Sequence, residues 1–168
     1  MNRTTISTVA TLIGSVAMCV ATPTVADNAR PSAAASALQT ADRMIAGCLQ
    51  HAAAAKLPPL SIVVVDAGGA LIAFKRQDGA MPASADAALL KARTAVRTNA
   101  PTAALTALIA QDPPTRDAFL VMELTGIPGG VPFARGDVPI AGAVGVSGAQ
   151  PDQDASCAQH AVDAAGSK

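Results

Sequence analysis

The sequence predicts an α+β domain in which helices pack on an antiparallel sheet. Three observations carry this expectation. Leu60–Asp66 (LSIVVVD) and Leu71–Arg76 (LIAFKR) are apolar, strand-like runs joined by Ala67-Gly68-Gly69-Ala70, the pattern of a β-hairpin. Segments of helical periodicity flank that hairpin on both sides. The remaining strand-like runs come one after another before a closing helix, an order that argues against a parallel βαβ array.

Taken from the start, Met1-Asn2-Arg3 is followed by an apolar stretch from Ile6 to Val20, with Thr24 and Ala26 as small residues before Asp27. A cationic start, a short apolar centre and a small-residue cut site read as a secretory signal peptide over residues 1–26. The alternative is a membrane anchor, but the run falls short of the ~20 residues that span a bilayer. Cys19 follows Met18, a poor fit to the small residue that lipoprotein processing prefers. Residues 27–35 read as a flexible leader, and residues 36–168 as one domain.

A helix is expected from Ser36 to Ala55, with Leu38, Ala41, Ile45, Cys48, Leu49 and Ala52 on one apolar face. Pro58-Pro59 ends it before the hairpin. A second helix follows Ala80-Met81-Pro82-Ala83, with Ser84 as its N-cap and Asp86 complementing its dipole. Ala85, Leu89, Ala92, Val96 and Asn99 trace its expected inward stripe. Thr102–Gln111 reads as a short helix, Phe119–Leu124 (FLVMEL) as a strand, Gly126–Gly130 as a loop and Val131–Phe133 as a short strand. Val138–Ser147 (VPIAGAVGVS) is a strand whose Gly and Ala positions invite close approach of another backbone. Pro151–Ala165 is the last helix.

Composition narrows the function. Once Arg3 is removed, the 12 basic residues fall to 11 against 12 acidic ones, and Trp and Tyr are absent. No basic field is available for nucleic acid. No segment after residue 26 is a candidate membrane span. Alanine supplies 40 residues, so close packing of small side chains must replace large buried ones. Export places the mature chain in the periplasm or outside the cell. There Cys48 and Cys157 read either as one disulfide tying the first helix to the last or as two buried thiols.

Chemical groups are few. No HExxH, CxxC or CxxCH motif occurs, so a zinc cluster and covalent haem attachment are not indicated. Val144-Gly145-Val146-Ser147-Gly148 only approaches a nucleophile elbow and reads as a strand end. His51, beside the first helix's apolar face, and His160, which projects away from its own helix's stripe, each read either as a partly exposed helical histidine or as an axial haem-iron ligand or general base. Lys91, Thr94 and Thr98 share a ridge of the second helix next to Arg93 and Arg97. That ridge is either a solvated face or a wall offering cations and hydroxyls to a carboxylate. No residue stands out as catalytic, and binding is the expected role.

An ordered set of motifs resembles the GlcG/HbpS family, also found as the C-terminal part of PduO-type proteins. The pieces are VVDAGG at Val64–Gly69, FxRxDGA at Phe74–Ala80, KAxTA at Lys91–Ala95, Pro101-Thr102, GGVP at Gly129–Pro132 and GAVGVSG at Gly142–Gly148, followed by Asp154. The resemblance implies a three-layer α/β/α domain around a five-stranded antiparallel sheet of profilin-like topology, and a homo-oligomer. It implies non-covalent haem as ligand, for sequestering or sensing; a small organic acid or a corrinoid, or haem degradation, are the alternatives. It carries over Lys91 and Thr94, and Arg76 and Asp78, as ligand-binding candidates. His51 lies outside the shared motifs.

Overall fold

The structure, a computed structural model, describes Met1 and residues 36–166. The signal peptide and leader read over residues 1–35 therefore lie, Met1 apart, outside the described residues. Helix α1 (Ala37–Ala54) starts with a capping box, in which the Gln39 N–H donates to Ser36 Oγ and the Ser36 N–H donates to Gln39 Oε1. Strands β1 (Ser61–Asp66) and β2 (Leu71–Arg76) form the expected antiparallel hairpin. Its turn is held by Asp66, whose Oδ1 accepts from the Gly68 and Ala70 N–H groups at 2.9 Å each, with Gly69 at φ +79°. The VVDAGG run is thus an aspartate-tied turn, where only glycine adopts the left-handed position without strain.

Helix α2 (Ser84–Thr98) begins one residue earlier than expected. Ala83 is its N-cap, and Ser84 lies buried inside the first turn, bonded to Met81 O and to Ser61 Oγ at 2.8 Å. Asn99 closes α2 in the left-handed conformation (φ 55°). Next come α3 (Thr102–Gln111) and α4 (Pro113–Val121), then β3 (Gly130–Arg135), β4 (Val138–Ser147) and α5 (Pro151–Ala164).

Two expectations are corrected. Phe119–Leu124 is not a strand: Phe119 to Val121 finish α4, and a turn follows. Pro113 and Pro114 occupy the opening of that helix, where the missing proline N–H has no helical partner to lose. With that run helical, the sheet has four strands among the described residues rather than five, in the order β2-β1-β4-β3 and antiparallel throughout.

Strand alternation sends Ile62, Val64, Val144 and Val146 to one face, where they meet Met44, Cys48, Cys157 and Ala161 of α1 and α5. Val63, Val65 and Ala143 point the other way, against Ala88, Ala92 and Ala95 of α2. The result is three layers, α/β/α. The backbone expected to approach β4 is that of α2. A Cβ on Gly145 would lie 2.0 Å from the Ala88 carbonyl oxygen, and one on its register partner Gly130 would lie 2.3 Å from that of Lys91. Gly145→Ala is therefore expected to destabilise the fold by at least the ~1–3 kcal/mol of an overpacked core. Urea unfolding followed by far-UV circular dichroism checks this; an unchanged midpoint would show that α2 can lift away freely. Among the described residues no helix is long and apolar enough to cross a membrane.

Candidate functional site

The motif lysine is committed inside the protein. Lys91, 2% exposed, sends Nζ past the end of the sheet to Asp154 Oδ2 at 2.8 Å and to the Val146 carbonyl at 3.0 Å. Asp154, in the first turn of α5, also accepts from the Ala149 N–H at 3.0 Å. The pair joins α2 on one face of the sheet to α5 on the other. Gly129 (φ +128°) makes room for it, since a Cβ there would meet Val146 O, Asp154 and Lys91 Cδ. Burial pushes the Asp154 carboxyl above its ordinary range, opposed first by the Lys91 ammonium and then by nearby N–H groups.

Thr94 is fully buried, and its Oγ1 accepts from the Thr125 N–H at 3.1 Å, anchoring the segment after α4. Arg76 and Asp78 lie at the surface; Arg76 donates to the Ala80 carbonyl and so closes the turn that follows β2. The structure does not bring these four residues together around one cavity. Arg93 and Arg97 are exposed and line a groove of about 250 Å³ with Asp86, Leu89, Leu90 and Glu123. Each arginine already donates to a carbonyl, Arg93 to Gly69 and Arg97 to Met122. Two acids share the groove with them, so its charge is mixed.

The two histidines, by contrast, converge. Cys48 and Cys157 form a disulfide between α1 and α5. Each histidine stands three residues, nearly one turn, beyond its cysteine. The imidazoles of His51 and His160 stack with centroids 3.8 Å apart and planes 17° from parallel. Ser156 fixes both: its Oγ lies 3.2 Å from His51 Nε2, and its carbonyl accepts from His160 Nδ1 at 2.9 Å. In the uncharged His160 ring this leaves Nε2 as the lone-pair nitrogen, at an exposed position. The pair borders a groove of about 490 Å³ whose walls include Gly47, Gln50, Ala54, Asp163 and Ala164. Gly47 lets the helices close, because a Cβ there would fall 2.4 Å from that of Ala164.

Burial, and then the neighbouring His160, lower the pKa of His51 below its ordinary value of 6.5. The unfolded chain therefore takes up this proton before the folded one does. Stability should fall as pH drops through 6.5 towards the lower folded value, and be unaffected by His51 above it. In His160→Ala the His51 pKa should move up towards 6.5, a change read from its ring proton shifts. The pairing is not legible in either helix alone, because the two rings stand on different helices. The signal was the equal offset of each histidine from a bridged cysteine.

Among the described residues no group of three or more His, Cys, Asp or Glu could hold a metal ion. Of the sulfur and imidazole groups that could meet a haem iron, Met44 is fully buried in the core. His51, His160, Met81 and Met122 remain within reach of solvent.

A four-stranded antiparallel sheet between helical layers, as the described residues form it, defines a small α/β/α domain with grooves at its surface. The family described as "Haem degrading protein HbpS-like" matches residues 37–163, and the chain belongs to it. Among solved structures, Klebsiella pneumoniae protein ORFY is 28% identical, with a TM-score of 0.71, over 79% of this chain and 92% of that one. The PduOC:heme complex is 25% identical (TM-score 0.69; 78% and 95% covered). A double mutant of Streptomyces reticuli HbpS is 30% identical (TM-score 0.67; 85% and 96% covered). No curated protein matches the chain.

Proposed function

We propose that this protein binds haem non-covalently outside the cytoplasm, in a sequestering or sensing role, with an imidazole of the His51–His160 pair as the iron ligand. The observation that carries the reading is the pair itself. An exposed imidazole whose other nitrogen donates to a backbone carbonyl is oriented as iron-ligating histidines are. Small residues beside it, Gly47, Ala54 and Ala164, leave room for a flat ligand to come close. Family membership and the haem complex of a relative support the choice of ligand, and the signal-peptide pattern at the N-terminus supports the compartment. Bound haem would supply the redox and oxygen chemistry; the chain's part is to hold and orient it. Self-association belongs to the same reading, and sedimentation velocity with and without haemin would report it.

Haemin titrated into the mature protein should give a saturable, shifted Soret band. His51→Ala and His160→Ala should weaken it, and the double variant should remove it. An unchanged spectrum in the unsubstituted protein ends the haem reading; a full shift in the double variant removes the histidines as ligands. Adding a reductant to the complex tests degradation, since loss of the band with release of iron, absent from a heat-denatured control, marks turnover.

A further inference from the structure

The α3–α4 hairpin carries apolar residues that the core does not use. Thr102 is the only buried residue of α3, and α4 has none. Yet Ile109, Phe119, Leu120, Leu124 and Ile127 gather around one groove of about 380 Å³, with Arg116 among its lining residues. That volume falls in the ~300–1,000 Å³ range of small-molecule sites. The two threonines of the groove are occupied with backbone: Thr106 Oγ1 donates to Gly126 O at 2.7 Å, and Thr125 Oγ1 accepts from the Ile127 N–H at 3.1 Å. Among the described residues Arg116 is the one charged group lining the groove. Its guanidinium meets Asp117 Oδ1 at 3.0 and 3.1 Å in a solvent-exposed pair, the kind of ion pair that water holds weakly and a better anion can displace.

We infer that this groove is a binding site for an apolar monocarboxylate, its hydrocarbon lying on Phe119, Leu120 and Ile127 and its carboxylate on Arg116. Shape and charge select the class together. The apolar walls favour a chain or ring over a polar metabolite, and a single guanidinium favours one carboxylate. The site is separate from the histidine groove, with which it shares no lining residue, and does not depend on the haem reading.

Calorimetric titration of the mature protein with decanoate and, separately, decan-1-ol tests it. Decanoate should bind saturably and about tenfold more tightly than the alcohol, as one charge-assisted contact implies. In Arg116→Gln the two ligands should bind equally, at the alcohol's level. Leu120→Asp should abolish both; Leu120 is 70% exposed, so the fold should survive, and circular dichroism verifies that it does. Equal affinity for acid and alcohol in the unsubstituted protein overturns the site. So does the absence of decanoate heat combined with an oligomer that Leu120→Asp dissociates, because the face is then an interface between copies. Displacement of bound haemin by decanoate also overturns it, by making the groove the haem slot.

Discussion

Lys91→Met should destabilise the folded protein by about 3–5 kcal/mol, the cost of stranding one charge of a buried ion pair. Both side chains are 3% exposed, so Asp154 has no water to turn to when Lys91 is removed. The Val146 carbonyl loses a partner at the same time. Urea midpoints by far-UV circular dichroism are the natural measure, since the chain has no Trp or Tyr to report by fluorescence. The sign of the pH dependence is fixed by the direction of the Asp154 shift. With its folded pKa already above the ordinary 3.8, Asp154 binds a proton in the folded state before it does in the unfolded chain. Its contribution to stability therefore declines as pH rises from 3.8 through the raised value. Removing Lys91 raises that value further. The penalty of Lys91→Met should be small in acid, where Asp154 is protonated, and reach its full size once Asp154 must ionise.

Lys91→Met combined with Asp154→Leu should recover much of the loss, because a buried pair can be replaced by apolar packing at little cost. Recovery should stop about 1 kcal/mol short, since the Ala149 N–H then has no acceptor. A single variant as stable as the unsubstituted protein at neutral pH would refute a structural role for the pair and return Lys91 to the ligand-binding candidates. On the geometry, the KAxTA motif holds two helical layers together across the end of a sheet, and its lysine is spent in doing so.

Much of the fold was legible because local chemistry and tertiary context agree there. The β1–β2 hairpin, the capped α1 and the proline-started α5 end within a residue of their expected limits. The phase of α2 was not legible. Leu89 and Val96 looked like its core residues, but Ser84, Ala88, Lys91, Ala92, Thr94 and Ala95 are the buried ones. The reason lies across the interface. Gly145, Gly130 and Ala143 make the sheet so shallow that small residues must face it, and the larger Leu89 and Val96 pack at the margin. The same rotation turns Lys91 and Thr94 inward and leaves Arg93 and Arg97 outside. Phe119–Leu124 failed for another reason: a six-residue apolar run fits a strand or the end of a helix equally, and only the Pro113-Pro114 start decides between them. Candidate residues can be named one by one from the sequence; the convergence of His51 and His160 cannot, because no single helix records what stands opposite it.

The pairing of α1 with α5 rests on the covalent link beside the histidines, and removing that link should have the second large effect. Cys48 and Cys157 are separated by 109 residues, for which loop-closure entropy gives about 4–5 kcal/mol of stabilisation through the unfolded chain. Cys48→Ala with Cys157→Ala should lower stability by about that amount. Reduced but unsubstituted protein should show nearly the same loss, which separates chain entropy from the packing of two sulfur atoms. Both cysteines are fully buried, so millimolar reductant should leave the bridge intact in the folded protein and open it rapidly in urea. The bridge also positions the groove. Gly47 lies against Ala164 while His51 meets Ser156, so the two helices run antiparallel, with the disulfide between these contacts. Without it the helices can slide, the imidazole stack loosens, and the His51 pKa should climb back towards 6.5 as burial and the His160 charge recede. The two readouts move together only if the link both stabilises the fold and sets the histidine geometry. A large drop in stability with an unmoved His51 titration would mean that apolar packing, chiefly Met44, Ile45, Ala158 and Ala161, holds the helices in register without the bridge.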